Sequence, residues 1–143
     1  MVDGMPEGFV LVPSPPRLAE YQQLRDAAGL PARTDAQATG ALRGSWAFGH
    51  VRAGERAVAM GRVIGDGGWF FTIAYLATAP GYQTQGLGRR VLEWLLHQIR
   101  LWAPADPTVT AVADPPARGL FEQAGFRVLG RHGSAVHLVL DPS

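Results

Sequence analysis

A glycine-rich segment, residues 80–90, contains the residues of this sequence with the clearest chemical potential. It lies between the longest apolar run, residues 69–78, and a stretch with strong helical periodicity. The first amides of a helix have no partner within it and carry partial positive charge, and Gly86 and Gly88 would let an anion approach them closely. Because Arg89-Arg90 adds positive charge, the segment predicts a phosphate or pyrophosphate ligand.

Two familiar phosphate loops fit this segment poorly. The nucleoside-triphosphate loop requires Gly-Lys-Ser/Thr, and the chain contains no lysine. The dinucleotide fingerprint requires a third glycine where Val91 stands. Since a Gly-x-Gly before a helix also occurs simply as a closely packed helix start, this part of the motif leaves the ligand open.

The spacing Gln83-x-x-Gly86-x-Gly88 is more specific. It resembles the acetyl-CoA pyrophosphate loop of the GNAT N-acetyltransferase superfamily, whose pattern is Gln/Arg-x-x-Gly-x-Gly/Ala. The resemblance spans roughly residues 21–126 and is closest to the small, single-domain bacterial branch. It implies an acetyl-CoA-dependent N-acetyltransferase. Further runs similar to this family are residues 29–33, 59–68 and 114–126, the last of which, DPPARGLFEQAGF, resembles the family segment that ends in Leu-Tyr-Glu-x-x-Gly-Phe.

The resemblance implies a site for the pyrophosphate and pantetheine of acetyl-CoA. Backbone amides of the loop would bind the pyrophosphate, and the free edge of the preceding strand would pair with pantetheine. Residues after the fifth strand would contact the pantetheine arm or the adenylate. The implied coenzyme-binding residues are Leu76, Ala77, Thr78, Gln83, Gln85, Gly86, Leu87, Gly88, Arg89, Asp114, Arg118 and Phe121.

The chemistry that the resemblance implies is direct acyl transfer from acetyl-CoA to an amine. The ammonium must lose a proton, the oxyanion needs an N–H donor, and the thiolate leaving group benefits from an acid. The backbone N–H of Leu76 or Ala77 is the expected oxyanion donor, with Leu76 favoured. No covalent intermediate is needed, which agrees with the absence of cysteine.

Two positions depart from the family pattern. Phe121 stands where the family usually has a tyrosine that acts as the general acid, and Ala74 and Tyr75 occupy a stretch where a carboxylate is often found. Tyr75 is therefore the best substitute for proton transfer, provided that its strand face, shared with Ile73 and Ala77, lines the cleft. The alternative for Tyr75 is a core or rim aromatic, because aromatic residues favour strands.

Three residues are expected to border the acceptor. Arg33, with Trp46 or Phe48, would receive an anionic or aromatic acceptor, although a solvated loop charge is the alternative for Arg33. His50 falls on a strand, where it could relay a proton near neutral pH or serve a structural role. Asp66 most simply forms an Asx-type turn with the glycines that follow it.

Proline and glycine divide the chain into the elements that must position these residues. Apolar runs predict strands, and apolar spacings of three and four predict helices. The result is an α/β (α+β) fold with a mixed, mostly antiparallel central sheet flanked by helices, in the order β-α-α-β-β-β-α-β-α-β-β. The predicted strands are 9–12, 46–51, 57–64, 69–78, 108–112, 126–129 and 134–140, and the predicted helices are 17–28, 35–42, 87–102 and 116–124.

Composition narrows the class of protein. The 143 residues are 47% hydrophobic and 17% charged, which predicts one globular domain over 1–143. A formal charge of +1 argues against a nucleic-acid partner. Without cysteine there is no thiolate metal site, and the four histidines lack ligand spacing, so no metal is expected. With neither a signal-like start nor a long apolar segment, we expect a cytoplasmic protein that does not bind membranes.

Three hypotheses follow. The first is an N-acetyltransferase that acts on a small-molecule amine. The second is a non-catalytic acyl-CoA-binding module with a sensory or interaction role, which Phe121 favours. The third is a domain whose glycine-rich loop binds another phosphate ligand. A homodimer through the apolar final strand stays open, because such a strand is equally typical of a core.

Overall fold

The computed structural model describes residues 5–141, and within this range the elements follow the predicted order. Short 3₁₀ turns at Gln83–Gln85 and Pro115–Ala117 precede the last two helices. The strands are β1 (Phe9–Val12), β2 (Ala47–Ala53), β3 (Arg56–Gly65), β4 (Phe70–Thr78), β5 (Thr108–Ala113), β6 (Phe126–His132) and β7 (Ala135–Leu140), and the helices are α1 (Leu18–Ala27), α2 (Asp35–Gly44), α3 (Leu87–Trp102) and α4 (Arg118–Gln123).

The strands form one seven-stranded sheet in the order β1-β2-β3-β4-β5-β7-β6. Strands β4 and β5 are parallel, and every other neighbouring pair is antiparallel. The parallel pair requires a crossover, which α3 supplies between the two strands. The predicted fold, a mixed and mostly antiparallel sheet flanked by helices, is therefore confirmed.

Helix α3 packs on one face of the sheet and α1 on the other. A Cβ at Gly61 would lie 2.7 Å from the Leu76 side chain and 2.9 Å from Val91 of α3, so the missing side chain permits this close approach. The neighbouring Met60 lines a space beside Tyr21 of α1. Because successive strand residues point to opposite faces, the functional segment of β4 lies between two helical layers.

Most element ends differ from the prediction by one or two residues, and two of the differences have a clear structural cause. Strand β6 continues to His132 rather than ending near 129, because a register shift between Val128 and Gly130 lets pairing resume beyond the glycine. The predicted helix 116–124 begins as a 3₁₀ turn, since the prolines at 115 and 116 have no N–H and suit the first turn. Both differences lie in the half of the molecule that carries the end of β5.

Candidate functional site

Strands β4 and β5 separate before β4 ends. Their parallel pairing runs from Phe70–Thr108 to Ala74–Val112 and stops there. Strand β4 continues to Thr78 with β3 as its partner. The side of residues 75–78 that faces away from β3 is therefore an open backbone edge, as the family resemblance implies.

The alternation of the antiparallel ladder decides which β4 backbone groups face this opening. The N–H of Ala79 donates to the carbonyl of Val58 at 2.8 Å. Residues of an antiparallel strand alternate between hydrogen-bonded and non-hydrogen-bonded positions. Ala77 therefore turns its N–H and C=O toward β3, whereas Leu76 and Thr78 direct theirs toward the opening. Of the two amides expected as oxyanion donors, that of Leu76 has the suitable direction and that of Ala77 does not.

A bulge interrupts β4 at Tyr75. The register with β3 shifts between Gly61 and Val63, so Ala74 and Tyr75 together lie opposite Arg62. Tyr75 has φ +67°, a left-handed conformation that costs an L-residue about 1–2 kcal/mol. Strain of this kind is found preferentially at ligand-binding and active sites.

The bulge corrects the predicted alternation of β4. We expected Ala74 to point away from Tyr75 and Ala77, but all three line the same small space beneath α1. The extra residue shifts the side-chain period locally, as β-bulges do. Tyr75 is half-buried there and packs against the core.

A cavity of about 350 Å³ lies between the end of β4, the glycine-rich loop and the start of α4. It unites segments that are distant in sequence, including the predicted residues from β4, the loop and the end of β5. The lining residues that the sequence predicted are Leu76, Thr78, Gln83, Gly86, Gly88, Arg89 and Asp114, and those it missed are Ala28, Pro116, Ala117 and Leu120.

The loop presents the start of α3 to this cavity. The Gln83 side chain donates a hydrogen bond to the carbonyl of Thr78 at 3.4 Å, which links the loop to the end of β4. Gly86 is the N-cap residue and provides no side-chain cap. The Arg90 N–H donates to the carbonyl of Gly86 at 3.2 Å. The preceding amides, 87–89, come before the first possible intrahelical bond and so have no partner within the helix.

Two glycines leave space for a ligand at this helix start. Gly86 has φ +74°, and a Cβ there would meet no protein atom within 4 Å. At Gly88 a Cβ would lie 3.3 Å from the Leu120 side chain and 3.5 Å from the Thr78 hydroxyl. A larger residue at either position would reduce the space beside the free amides, so the loop fits a pyrophosphate group.

Asp114 lines the same cavity and has a buried carboxylate oxygen. Its Oδ1 is buried and has no hydrogen-bond partner among the described residues. Burial raises the pKa of this carboxyl above its usual value. Since an unpaired buried acceptor is unfavourable, a ligand N–H donor entering the cavity would complete the site.

Several predicted coenzyme residues do not bring side chains to the cavity. Phe121 is fully buried and packs edge-on against Phe126, with ring centroids 5.2 Å apart. The Leu87 side chain belongs to the core. Arg118 forms an exposed ion pair with Glu122 at 3.2 Å. Gln85 is exposed within the 3₁₀ turn and is also absent from the cavity lining.

The predicted acceptor residues are only partly brought together. Phe48 is buried, packs against Tyr21 and lines the same small space as Tyr75. Trp46 packs against Phe71 instead, with ring centroids 4.8 Å apart. Arg33 is exposed and lines an outer surface groove, which shares Arg25 and Leu30 with the space beside Tyr75.

Sequence reasoning missed Arg25 of α1. This residue is 9% exposed and lines the small space that contains Tyr75. The available signal was its position four residues after Tyr21, on the apolar face of the helix. A basic residue on the buried face of a helix is unusual and indicates a specific partner or ligand.

His50 and Asp66 have structural roles. The His50 Nε2 lies 3.2 Å from the Arg52 guanidinium, which can only donate, so the Nδ1–H donates to the carbonyl of Ser14 at 2.6 Å. Burial lowers the pKa of His50. Asp66 accepts from the amides of residues 68–70, which lower its pKa and form the predicted turn.

The described residues contain neither a metal-binding group of side chains nor a helix that could cross a membrane. In the described range, 5–141, no three His, Asp or Glu side chains are grouped so that they could hold a metal ion. None of the helices in this range is long and apolar enough to span a membrane.

Comparisons with known proteins place the chain in a family. A family model described as an acetyltransferase (GNAT) domain matches residues 46–128. A solved structure described as a probable acetyltransferase, from meticillin-resistant Staphylococcus aureus, is 29% identical with a TM-score of 0.81. The match covers 87% of this chain and 97% of that one. Comparison with curated proteins finds no match.

More distant solved structures share the fold. The ribosomal-protein-S18-alanine N-acetyltransferase of Escherichia coli has 17% identity and a TM-score of 0.74, with 92% of each chain covered. Ard1 from Thermoplasma volcanium has 13% identity and a TM-score of 0.78, with coverage of 94% and 99%. Since the family model spans more than half of the chain and the fold agrees with it, this chain belongs to the GNAT family of acetyltransferases.

Proposed function

We propose that this protein transfers an acetyl group from acetyl-CoA directly to the amine of a small acceptor. The observation that carries the proposal is the cavity of about 350 Å³, which joins the open edge of β4 to the amides at the start of α3. A thioester carried by pantetheine has to lie along such an edge while its pyrophosphate is held at a helix start.

The coenzyme would be bound mainly by backbone groups. The amides of 87–89 and the Arg89 side chain bind the pyrophosphate, and Gln83 holds the loop against β4. The backbone of Leu76 and Thr78 pairs with pantetheine, and the unpaired Oδ1 of Asp114 accepts one of its N–H groups. Gln85 stays a predicted backbone contact of the pyrophosphate, and Arg118 stays a predicted contact of the pantetheine arm or the adenylate.

Transfer would occur at the bulge of β4. The amine nitrogen attacks the thioester carbonyl, and the Leu76 N–H stabilises the developing oxyanion. The nitrogen then gives up one proton, the carbon–sulfur bond breaks, and the electron pair of that bond leaves with the thiolate, which takes up a proton. The Tyr75 hydroxyl is the proposed group for proton transfer at this point, because Phe121 has no proton to give.

The second candidate is a module that binds acyl-CoA without turnover. It is favoured by the fully buried, hydroxyl-free ring of Phe121 and by the absence of a carboxylate at residues 74 and 75. Coenzyme A is a tolerable leaving group, so these losses slow the transfer without preventing it. The two candidates share the coenzyme site and differ only in chemistry.

Release of coenzyme A separates the two candidates. Purified protein is incubated with acetyl-CoA and a broad panel of small amines, and the released thiol is measured with a thiol reagent. Because the chain has no cysteine, the protein itself contributes no thiol signal. Amine-dependent release supports the acetyltransferase, whereas tight coenzyme binding without release for any amine supports the binding module.

A further inference from the structure

Arg25 is a buried cation whose hydrogen bonds are incomplete. Its Nη2 donates to the carbonyl of Pro31 at 3.0 Å, and its guanidinium carbon lies 5.8 Å from the centre of the Tyr21 ring. Its Nε is buried and has no hydrogen-bond partner within residues 5–141. None of the ion pairs formed by the described residues includes Arg25. A guanidinium presents a planar set of donors that matches a carboxylate.

The surroundings of Arg25 are positively charged and apolar. It lines the small space beneath α1 together with a second arginine, Arg62, and with aromatic and aliphatic side chains. Arg62 donates one long hydrogen bond of 3.4 Å to the Ser45 hydroxyl. No acidic side chain is among the residues that line this space. An anionic group would therefore be attracted here and would complete the hydrogen bonds of Arg25.

This space adjoins the proposed site of transfer. Leu76 lines the coenzyme cavity, while Tyr75 and Ala77, its two neighbours on β4, line the space that contains Arg25. On α1, Arg25 lies one turn before Ala28, which lines the coenzyme cavity. A molecule held by Arg25 is thus on the acceptor side of the bulge, opposite the coenzyme.

The free volume is divided between an inner and an outer part. The inner space beside Tyr75 has only about 10 Å³, roughly room for one water molecule. An outer groove of about 180 Å³ shares Arg25 and Leu30 with it and is also lined by Asp26 and Arg33. Leu30 lines both parts, so the two parts meet at its side chain, and an acceptor that occupied both would displace it.

We propose that the acceptor is an amine that also carries a carboxylate, in the manner of an apolar amino acid, and that Arg25 binds this carboxylate. The inference rests on the proposed function, since it names the substrate class for the same transfer. Arg25 then determines specificity, and Tyr75 and Phe48 contact the apolar part of the acceptor. The amine end reaches the bulge of β4.

Matched amines test the proposal. In the first set, L-phenylalanine has the carboxylate, and L-phenylalaninamide and phenethylamine lack it. In the second set, L-leucine has the carboxylate and 3-methylbutylamine lacks it. With the full chain and acetyl-CoA, we expect kcat/KM to be at least about tenfold higher for the carboxylate member of each set. In Arg25→Gln this preference should disappear through a higher KM for the carboxylate amines. Arg25→Lys should retain part of the preference, and the control Arg100→Gln, at an exposed residue of α3 away from the acceptor space, should keep it.

Binding provides a second readout that does not depend on turnover. N-Acetyl-L-phenylalanine should raise the Tm of the wild type but not that of Arg25→Gln. N-Acetylphenethylamine, which lacks the carboxylate, should raise the Tm of the wild type less than N-acetyl-L-phenylalanine does, and it should not raise that of Arg25→Gln. Protection of Arg25→Gln by acetyl-CoA shows that this variant is folded. Three results would overturn the assignment of Arg25. The first is equal turnover of amines with and without the carboxylate. The others are equal thermal protection by the two products and protection by neither product.

The experiments distinguish a failure of the Arg25 assignment from a failure of the proposed acetyltransferase function. If acetyl-CoA protects the chain and uncharged amines are acetylated without a carboxylate preference, the role of Arg25 is wrong and the proposed function stands. If acetyl-CoA gives no protection, the proposed function itself is wrong.

Discussion

At the scale of single residues, the backbone at Gly86 controls access to the first amides of α3. A Cβ at this position would have no atom of the described residues within 4 Å. We expect Gly86→Glu to abolish coenzyme binding, because a carboxylate would occupy and repel the pyrophosphate position. Thermal protection by acetyl-CoA is the measurement.

Two control variants separate this effect from backbone strain. Gly86→Ala adds the same left-handed strain with a minimal side chain, and it should retain most of the binding. Gly133→Glu introduces the same charge at φ +60° in the turn between β6 and β7, with open space around it. Unchanged affinity in Gly86→Glu would show that the loop does not bind the coenzyme.

Tyr75 allows a test of proton transfer by removal of one hydroxyl. We expect Tyr75→Phe to lower kcat by about a hundredfold, since a positioned acid or base contributes on this order. The ring would still fill its half-buried position, so Tm and acetyl-CoA protection should change little. A kcat within twofold of the wild type would assign Tyr75 to the wall of the acceptor space instead.

At the scale of elements, an ion pair joins α1 to β2. Glu20 lies 2.8 Å from the Arg52 guanidinium, and its side chain is only 13% exposed. The hydrogen bond from Arg52 lowers the pKa of Glu20 from 4.5 to about 2, against the opposing effect of burial. Because the folded-state pKa lies below the unfolded one, the pair stabilises the fold fully above pH 4.5 and progressively less as the pH falls toward 2.

The corresponding variant should have a pH-dependent phenotype. Glu20→Gln should unfold a few degrees below the wild type at pH 7, and the difference should shrink between pH 4.5 and 2. Tm measured across this range is the readout, with the exposed Glu93→Gln on α3 as the matched control. A difference that stays constant down to pH 2 would mean that packing, not charge, accounts for it.

The secondary-structure elements show which features can be predicted from a sequence. Strands and helices followed from apolar periodicity and from proline and glycine positions, because these patterns act locally. The bulge at Tyr75 was not predictable, since nothing in a tyrosine indicates a left-handed backbone. It accompanies the shift in the β3–β4 register, which leaves one extra residue of β4 opposite Arg62. The position of Asp114 beside Leu76 likewise depends on the parallel pairing that ends at Ala74.

At the scale of the whole molecule, one sheet and one core connect all parts of the described chain. We therefore expect a single cooperative unfolding transition, as for most domains of this size. Far-ultraviolet circular dichroism and tryptophan fluorescence should give the same midpoint, because the four tryptophans are distributed along the chain. Two separate midpoints would contradict the predicted single domain.

Family membership could be inferred from the loop spacing, whereas the residues that line the acceptor space could not be inferred from the sequence. The loop is a contiguous run whose residue types have local meanings, such as space at Gly86 and Gly88. The acceptor space is assembled from α1, β2, β3 and β4, and its members have no common motif. Arg33 was expected there because the second helix region borders the acceptor in the resembling family, with Trp46 or Phe48 beside it. Of these three residues the fold brings only Phe48 to the space, and it adds Arg25 and Arg62.

The most direct test of the account is thermal unfolding with acetyl-CoA, with desulfo-CoA and with ATP. A ligand at a hundred times its dissociation constant stabilises the folded state by about 2.7 kcal/mol, which would raise the Tm of a chain of this length by roughly 5–15 °C. We predict this shift with both coenzymes, no comparable shift with ATP, and its loss in Gly86→Glu. An unchanged Tm with both coenzymes would contradict the proposed site.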